Sequence, residues 1–360
     1  MRAGFLTDAK EIGGSEVWLA EVLPRLRTHG VEPLAAFPEG GKTGPIVQKL
    51  EDAGVPVVRY QSYHELPKVE LWISSAWFPT NFRQMLKALP RPHYALVHDQ
   101  VEIYYPLGLH RLYRLGYRTL KAPLLRQADG VITVSRWAAE FLASVHRVPN
   151  VRYVKNGVDT KRFRPPQPGE KEALKKKFGL NGVVALLPAR FAVSLEKNQI
   201  TALLAARGIT NLTLAFAGEG PLLGAMRKLA RLLGARNVRF LGRVSNMPEL
   251  YRAADIFFFP TLGENQSLAT LEAMASGLPV LTSDIPAQRE LLENQREGLL
   301  VPPKVREMAK ALANLAAYPE WRAKMGNAAR SKVVAKHQLD KTIEQLAALL
   351  QQIAVDPSKA

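Results

Sequence analysis

Residues Asp255–Asp284 read DIFFFPTLGENQSLATLEAMASGLPVLTSD, and their pattern decides the fold class. Asp255–Phe259 is a short apolar run ended by Pro260, the signature of a buried strand. Thr261–Gln266 reads as a loop, and Ser267 is placed to cap a helix running from about Leu268 to Ser276. Gly277 then stops the helix, and Val280–Thr282 reads as a second strand. A strand, a helix and a strand in close succession form one unit of a parallel sheet covered on both faces.

The same alternation extends in both directions. Toward the C-terminus Leu299–Val301 follows, and toward the N-terminus come Val238–Leu241, Leu212–Ala217 and Val183–Leu187. A separate series occupies the first half: Arg2–Thr7, Val31–Phe37, Val57–Tyr60, Leu71–Ser74, Tyr94–His98, Gly130–Val134 and Val151–Val154. Helical patterns lie between them at about 14–28, 43–53, 80–88, 108–127 and 136–146. The series are separated by Asn156–Gly169, NGVDTKRFRPPQPG, whose three prolines break helix and strand alike. The expected architecture is α/β: two Rossmann-like, doubly wound parallel-sheet domains facing a central cleft. The first spans 1–164 and the second 165–339. Helices fill the remainder, and the last, about 340–355, is expected to pack back on the first domain and to be followed by a polar tail.

Composition narrows the partners. The 360 residues hold 49 Lys+Arg against 32 Asp+Glu, a formal +17, with no cysteine. The excess is +8 over residues 1–165 and +9 over 166–360, so there is no basic tail. Disulfides, thiol nucleophiles and cysteine-bound metals are excluded. Asp-x-Asp and histidine pairs at metal spacing do not occur, so no metal ligand set is expected. Nor is there a P-loop or a G-x-S-x-G elbow. The dispersed basic residues and the lack of a recognised module argue against nucleic acid. No run approaches a membrane span and nothing marks the chain for secretion, which leads to an expected cytoplasmic location.

Ligands of open α/β sheets bind beyond the carboxyl ends of the strands, so the loops there hold the candidate residues. Glu264 lies in the loop after Phe259, and Glu272 about a turn into the following helix. The amides around Ser267 and Leu268 suit a phosphate, and Glu272 suits sugar hydroxyls. An ordinary turn bearing two solvated glutamates has the same spacing. In the first half, Ile12-Gly13-Gly14-Ser15 follows strand one and opens a helix, a close-approach site for an anion. His98 and Asp99 follow the strand YALV, Asp99 as a candidate acceptor-side base. Gly108–Gln127 carries Arg111, Arg114, Arg118 and Lys121 at 3–4 spacing with no acid, a basic helix face suited to anionic headgroups. A solvated helix packed on its sheet fits equally. Arg227–Arg243, also acid-free, reads as a helix plus a buried strand.

Taken together, NGVDTKRFRP (156–165), AGEGPL (217–222), VRFLGRV (238–244), LYRAADIFFFPTL (250–262), the E-x7-E pair, LEAMASGLPVLTSD and GLLVPP (298–303) resemble the retaining family 4 glycosyltransferases, which have the GT-B fold. IGGSE and VITVS extend the likeness more loosely into the first half. The resemblance implies a retaining, metal-independent transferase with a nucleotide-diphosphate sugar as co-substrate and no other cofactor. It places Glu264 beside the donor sugar as a catalytic residue, Glu272 on the ribose, Arg190 and Lys197 on the diphosphate, and Gly13, Gly14 and His98 on the donor from the first domain. The interval from Arg190 to Lys197 is slightly longer than usual. Asn265-Gln266-Ser267 stands where Gly-Phe-Gly is usual, which bears on sugar preference. The acceptor would be a glycan, a lipid-linked sugar or a small molecule, and the location cytoplasmic or peripheral on the inner membrane face. A sugar-nucleotide epimerase of similar fold and a silent nucleotide-sugar or polyanion-binding protein are the alternatives.

Overall fold

The computed structural model describes residues 1–355; the polar tail after Val355 lies outside them. Seven parallel strands form the first sheet: β1 (Arg2–Thr7), β2 (Glu32–Pro38), β3 (Val57–Tyr60), β4 (Leu71–Ser75), β5 (His93–Val97), β6 (Gly130–Thr133) and β7 (Val151–Tyr153). Their spatial order is β3-β2-β1-β4-β5-β6-β7. Six more form the second: β8 (Val183–Pro188), β9 (Leu212–Ala217), β10 (Val238–Gly242), β11 (Ile256–Phe259), β12 (Val280–Ser283) and β13 (Gly298–Val301), ordered β10-β9-β8-β11-β12-β13. Both are doubly wound α/β sheets. The strand order reverses between β1 and β4 in one and between β8 and β11 in the other, the points where such sheets bind ligands.

Central strands are apolar on both faces because helices cover both. Ile256, Phe257, Phe258 and Phe259 of β11 are all buried in the core of the second sheet. Asp255 lies just outside that strand. Its carboxylate accepts the Val184 N–H at 2.9 Å and pairs with Lys171 and Lys175, fastening the helix Glu170–Phe178 to the start of β8. The expected buried strand within Arg227–Arg243 is β10, an edge strand in which Val238 is buried and Arg239 is exposed. A strand paired on one side only lacks the neighbour that would bury it.

The chain divides into two units: residues 1–101, 110–156 and 339 onward form one, and residues 102–109 and 157–338 the other. In the first, the C-terminal helix Leu339–Val355 packs on the helix Gly14–Leu26, and Thr342 Oγ1 donates to the Lys155 carbonyl at 3.0 Å. In the second, the helix Pro319–Lys336 packs on the helix Leu268–Ala275.

The single helix expected over 108–127 is instead a helix Leu109–Gly116, a π-helical turn Tyr117–Lys121 and a short helix Ala122–Leu125. Pro123 has no N–H to return to the preceding turn, which favours the widened geometry. The extra residue turns Lys121 inward. Its ammonium is buried, pairing with Asp99 at 2.7 Å and donating to the Ala76 carbonyl at 2.9 Å. Lys121 therefore does not share an exposed face with Arg111 and Arg118, and Arg114 is half-buried with its guanidinium over the Phe141 ring.

Candidate active site

In the second unit the site is built where β8 and β11 lie side by side. The loop after β11 and the loop after β8 are laced together: Leu262 N–H donates to the Glu196 carbonyl at 2.7 Å, and Asn198 Nδ2 donates to the Pro260 carbonyl at 3.0 Å. This brings Lys197 to Glu264, with Nζ and Oε1 2.5 Å apart. The Thr261 hydroxyl donates to the same oxygen at 3.1 Å, and the Lys197 ammonium lies 5.5 Å from the centroid of Phe259. Glu264 is 8% exposed, so its carboxylate sits in a low-dielectric setting where an ionic partner is required. That burial removes the reading of two solvated glutamates. Asn265, Gln266 and Ser267 are buried beside it. Ser267 Oγ accepts the Thr270 N–H at 3.1 Å and caps the helix Leu268–Ala275, which places Leu268 in its first turn. Gly277, at φ +74°, turns the chain out of the helix in a conformation that glycine adopts without strain.

Glu272 leans back along its helix and is half-buried. Its Oε2 accepts the hydroxyl of the fully buried Tyr251 at 2.9 Å. Burial, reinforced by the Glu272 charge, pushes the Tyr251 phenol well above its ordinary range, so the ring stays a donor. Arg190 is exposed just beyond β8. Its loop is fixed by Gln199 Nε2 donating to the Arg190 carbonyl at 2.8 Å and by Phe191 N–H donating to the Glu219 carbonyl at 2.9 Å. Gly218 and Gly220 make this close packing feasible: a Cβ on either would stand 2.1 Å from the Ala189 oxygen or 2.5 Å from the Phe191 oxygen, and both glycines have positive φ.

Arg330 ties the site to the linker. Its guanidinium donates to the carbonyls of Ala275, Phe163 and Thr160 at 2.6, 2.8 and 2.9 Å, closing the C-terminal end of the Glu272 helix onto Asn156–Pro165. Tyr251, Gly218, Gly220 and Arg330 were not picked out in the sequence as site residues. LYRAAD and AGEGPL were available as signals for the first three; Arg330 lies in the helix Pro319–Lys336 with no local mark.

In the first unit, Gly13 and Gly14 follow β1: a Cβ on Gly14 would meet nothing within 4 Å, so the backbone there is open to close approach, whereas one on Gly13 would stand 3.2 Å from Glu16 Oε2. Glu16 holds this loop from beneath. One carboxylate oxygen accepts the Gly13 N–H at 2.9 Å, while the other accepts the Ser15 hydroxyl at 2.9 Å and the Thr7 hydroxyl at 3.2 Å. Burial raises the Glu16 carboxyl above its usual range despite these bonds. His98 ends the stretch after β5, with its ring edge-on to Trp18 at 4.8 Å. Its Nε2 is out of reach of solvent and has no hydrogen-bond partner among the described residues. Burial lowers the imidazole to about 4, so near neutral pH it is uncharged. Asp99, a candidate acceptor-side base, is committed to Lys121. Among the described residues no three His, Asp or Glu side chains form a metal-binding group, and no helix is long and apolar enough to cross a membrane.

Two α/β units, each with its polar loops at the strand-order reversal, define the GT-B architecture. Solved structures of that architecture match across the chain. HepE of Anabaena in complex with UDP and glucose aligns with a TM-score of 0.80 at 19% identity, covering 98% of this chain and 100% of that one. Sucrose-phosphate synthase from Thermosynechococcus elongatus aligns at 0.78 and 18%, covering 99% and 100%. Residues 183–317 match the family model described as glycosyl transferases group 1, and residues 12–162 match that of glycosyltransferase family 4. The chain belongs to the family 4 glycosyltransferases.

Curated relatives include the lipopolysaccharide core biosynthesis mannosyltransferase LpsB of Rhizobium meliloti, 33% identical over 190 residues (49% of this chain, 52% of the relative). Another is the GDP-mannose-dependent alpha-(1-6)-phosphatidylinositol monomannoside mannosyltransferase of Mycobacterium tuberculosis, 30% identical over 248 residues (64% of each). The chain spans about half to two thirds of the length of the curated relatives it matches.

Proposed function

We propose that this protein is a retaining glycosyltransferase that moves a sugar from a nucleotide-diphosphate donor to an acceptor hydroxyl. The observation that carries this reading is the set Arg190, Lys197, Glu264 and Glu272 at the reversal between β8 and β11. In transfer the bond between the anomeric carbon and the diphosphate breaks, and negative charge grows on the leaving oxygens. Arg190 and Lys197 are the two cations available to stabilise it, a task that requires no metal ion. Glu272, held by Tyr251, accepts the ribose hydroxyls. Glu264 lies against Lys197 and shares its charge, so Lys197 serves both the catalytic carboxylate and the diphosphate. Asn265, Gln266, Ser267 and the Leu268 amide line the sugar subsite. In the first unit, the backbone at Gly13 and Gly14 suits an anion, and the neighbouring His98 stays uncharged near neutral pH.

The acceptor is a glycan or a lipid-linked sugar, in keeping with relatives named for lipopolysaccharide core and phosphatidylinositol monomannoside transfer. An anionic membrane surface contacted through the exposed Arg111 and Arg118 would hold the protein peripherally on the cytoplasmic face.

Calorimetric titration with UDP, GDP and their hexose conjugates tests the reading. One nucleotide should bind, and Arg190→Ala and Glu272→Ala should each weaken it about tenfold or more. Absence of binding by every nucleotide, or undiminished binding by both variants, would overturn it.

A further inference from the structure

The chain between Arg190 and Lys197 is slightly longer than is usual in the family, and the added length forms a turn with its own support. Both ends are fastened to neighbouring loops of the second unit. Phe191 N–H donates to the Glu219 carbonyl at 2.9 Å, while the Glu196 carbonyl accepts the Leu262 N–H at 2.7 Å and the Thr261 hydroxyl at 3.2 Å. Between them the chain turns at Ala192–Leu195, with Leu195 N–H donating to the Ala192 carbonyl at 3.3 Å and Val193 72% exposed. Leu195 sits at φ +56°, a left-handed backbone that a leucine keeps only where its surroundings hold it.

The hold comes from residues 102–109, which lie in the second unit although the chain on either side of them belongs to the first. The Tyr105 hydroxyl donates to the Ser194 carbonyl at 2.5 Å. One residue earlier, the Tyr104 N–H donates to the Leu262 carbonyl at 2.7 Å, just before Glu264. The fit beside it is close: a Cβ on Gly263 would stand 2.9 Å from the Glu102 oxygen and from Ile103 Cγ1. Burial, reinforced by the Glu196 charge, raises the Tyr105 phenol above its ordinary range, so it stays a donor. Glu102–Tyr105 is thus bonded both to the loop that carries Lys197 and to the loop that carries Glu264.

The bond from Tyr105 falls where it sets the course of the chain toward Lys197. The Ser194 oxygen belongs to the peptide that precedes Leu195, so holding it fixes the φ of Leu195. Leu195 opens the next tight turn, closed by Asn198 N–H donating to the Leu195 carbonyl at 3.0 Å, and Lys197 lies inside that turn. Arg190 is secured separately, by Gln199 Nε2 on its carbonyl at 2.8 Å. A group that must meet both a carboxylate and a diphosphate tolerates little displacement.

We propose that Tyr105 is a positioning residue of the donor site: through the Ser194 carbonyl it holds the lengthened loop in the conformation that keeps Lys197 against Glu264, while the Tyr104 amide fixes the neighbouring loop at Leu262. This rests on the donor-site reading above and adds to it a support supplied by the segment 102–105.

Tyr105→Phe keeps the ring and removes the bond, and water can reach the exposed Ser194, so the variant should fold normally. Calorimetric titration with UDP and with GDP reads the effect on the donor site. Affinity for the one that binds should fall about three- to tenfold, the size of one lost hydrogen bond. In the Lys197→Ala/Glu264→Gln background the same change should alter Kd by less than about twofold, a distinction that a general loosening of the fold does not make. Hydrogen exchange followed by mass spectrometry reads the turn itself: amides of residues 195–198 should exchange about tenfold faster in Tyr105→Phe, with β8 and β11 unchanged. Exchange needs no nucleotide, so failure of the donor site and failure of the support are read separately. Unchanged exchange at residues 195–198, undiminished affinity, or equal weakening with and without the Lys197–Glu264 pair would overturn the proposal.

Discussion

Tyr251→Phe separates a positioned carboxylate from one that merely lies near the site. The ring of Tyr251 is fully buried and packed edge-on to Phe163 at 5.7 Å, so phenylalanine keeps its shape. What is lost is one hydroxyl, which donates to Glu272 Oε2 at 2.9 Å. A hydrogen bond to a charged group contributes about 1.5–3 kcal/mol, less whatever water restores to the half-buried carboxylate, so the folded protein should lose about 1–2 kcal/mol. The nucleotide then has to immobilise Glu272 itself, at about 0.5–1.5 kcal/mol, which raises Kd about two- to twelvefold. Glu272→Ala, which removes the acceptor altogether, should cost about a hundredfold. The assay is calorimetric titration with the nucleoside diphosphate that binds, run as a double-mutant cycle of Tyr251→Phe with Glu272→Gln. If Tyr251 acts through Glu272, Tyr251→Phe has little effect on binding once Glu272 is Gln, so the coupling should equal the about 0.5–1.5 kcal/mol of the single change. Two effects that simply add, or a Tyr251→Phe protein of unaltered affinity, would refute the positioning role.

Two further outcomes follow from the geometry. Lys197→Ala leaves the Glu264 carboxylate buried beside Thr261 without its cation, so the protein should lose about 3 kcal/mol in urea unfolding, and adding Glu264→Gln should restore most of it without restoring transfer. An unrescued double variant would show that the two residues do not act as a pair. His93 is buried against the Ser74 hydroxyl at 2.6 Å, and burial lowers it to about 4, as it does His98. Both fall below the ordinary value of 6.5, so in that window the unfolded chain binds protons that the folded chain does not. Stability should therefore fall as pH drops from about 6.5 toward 4, by about 2 kcal/mol for His93 by pH 5. Glu16, raised by burial, works in the opposite direction as it takes up a proton. A urea midpoint that does not move between pH 7 and pH 5 would contradict this.

Much of the fold was legible in local patterns. Val57–Tyr60 and Leu212–Ala217 are strands at the bounds read from the sequence, because short β-branched and aromatic runs between turn residues can be buried in few other ways. Ser267 and Gly277 bound the helix between them because one offers an acceptor to free N–H groups and the other turns left-handed without strain. The helix over 108–127 was misread for a related reason. Charge spacing predicts a face only while the turn stays regular, and the π turn at Tyr117–Lys121 buries a lysine expected outside while leaving Leu120 exposed.

The sequence by itself therefore determined the two parallel-sheet units, the loops that carry chemistry and the residue types available there. Only the tertiary structure decided which of those residues meet. Lys197 and Glu264 stand 67 positions apart and are paired because β8 and β11 are neighbours in the sheet. Tyr251 reaches Glu272 from a preceding helix, and Arg330 caps that helix from 55 residues beyond its last carbonyl. The physical reason is one of range. Burial and turn chemistry are imposed on each segment by its own side chains, whereas an ion pair or a hydrogen bond depends on strand order, which no local period encodes.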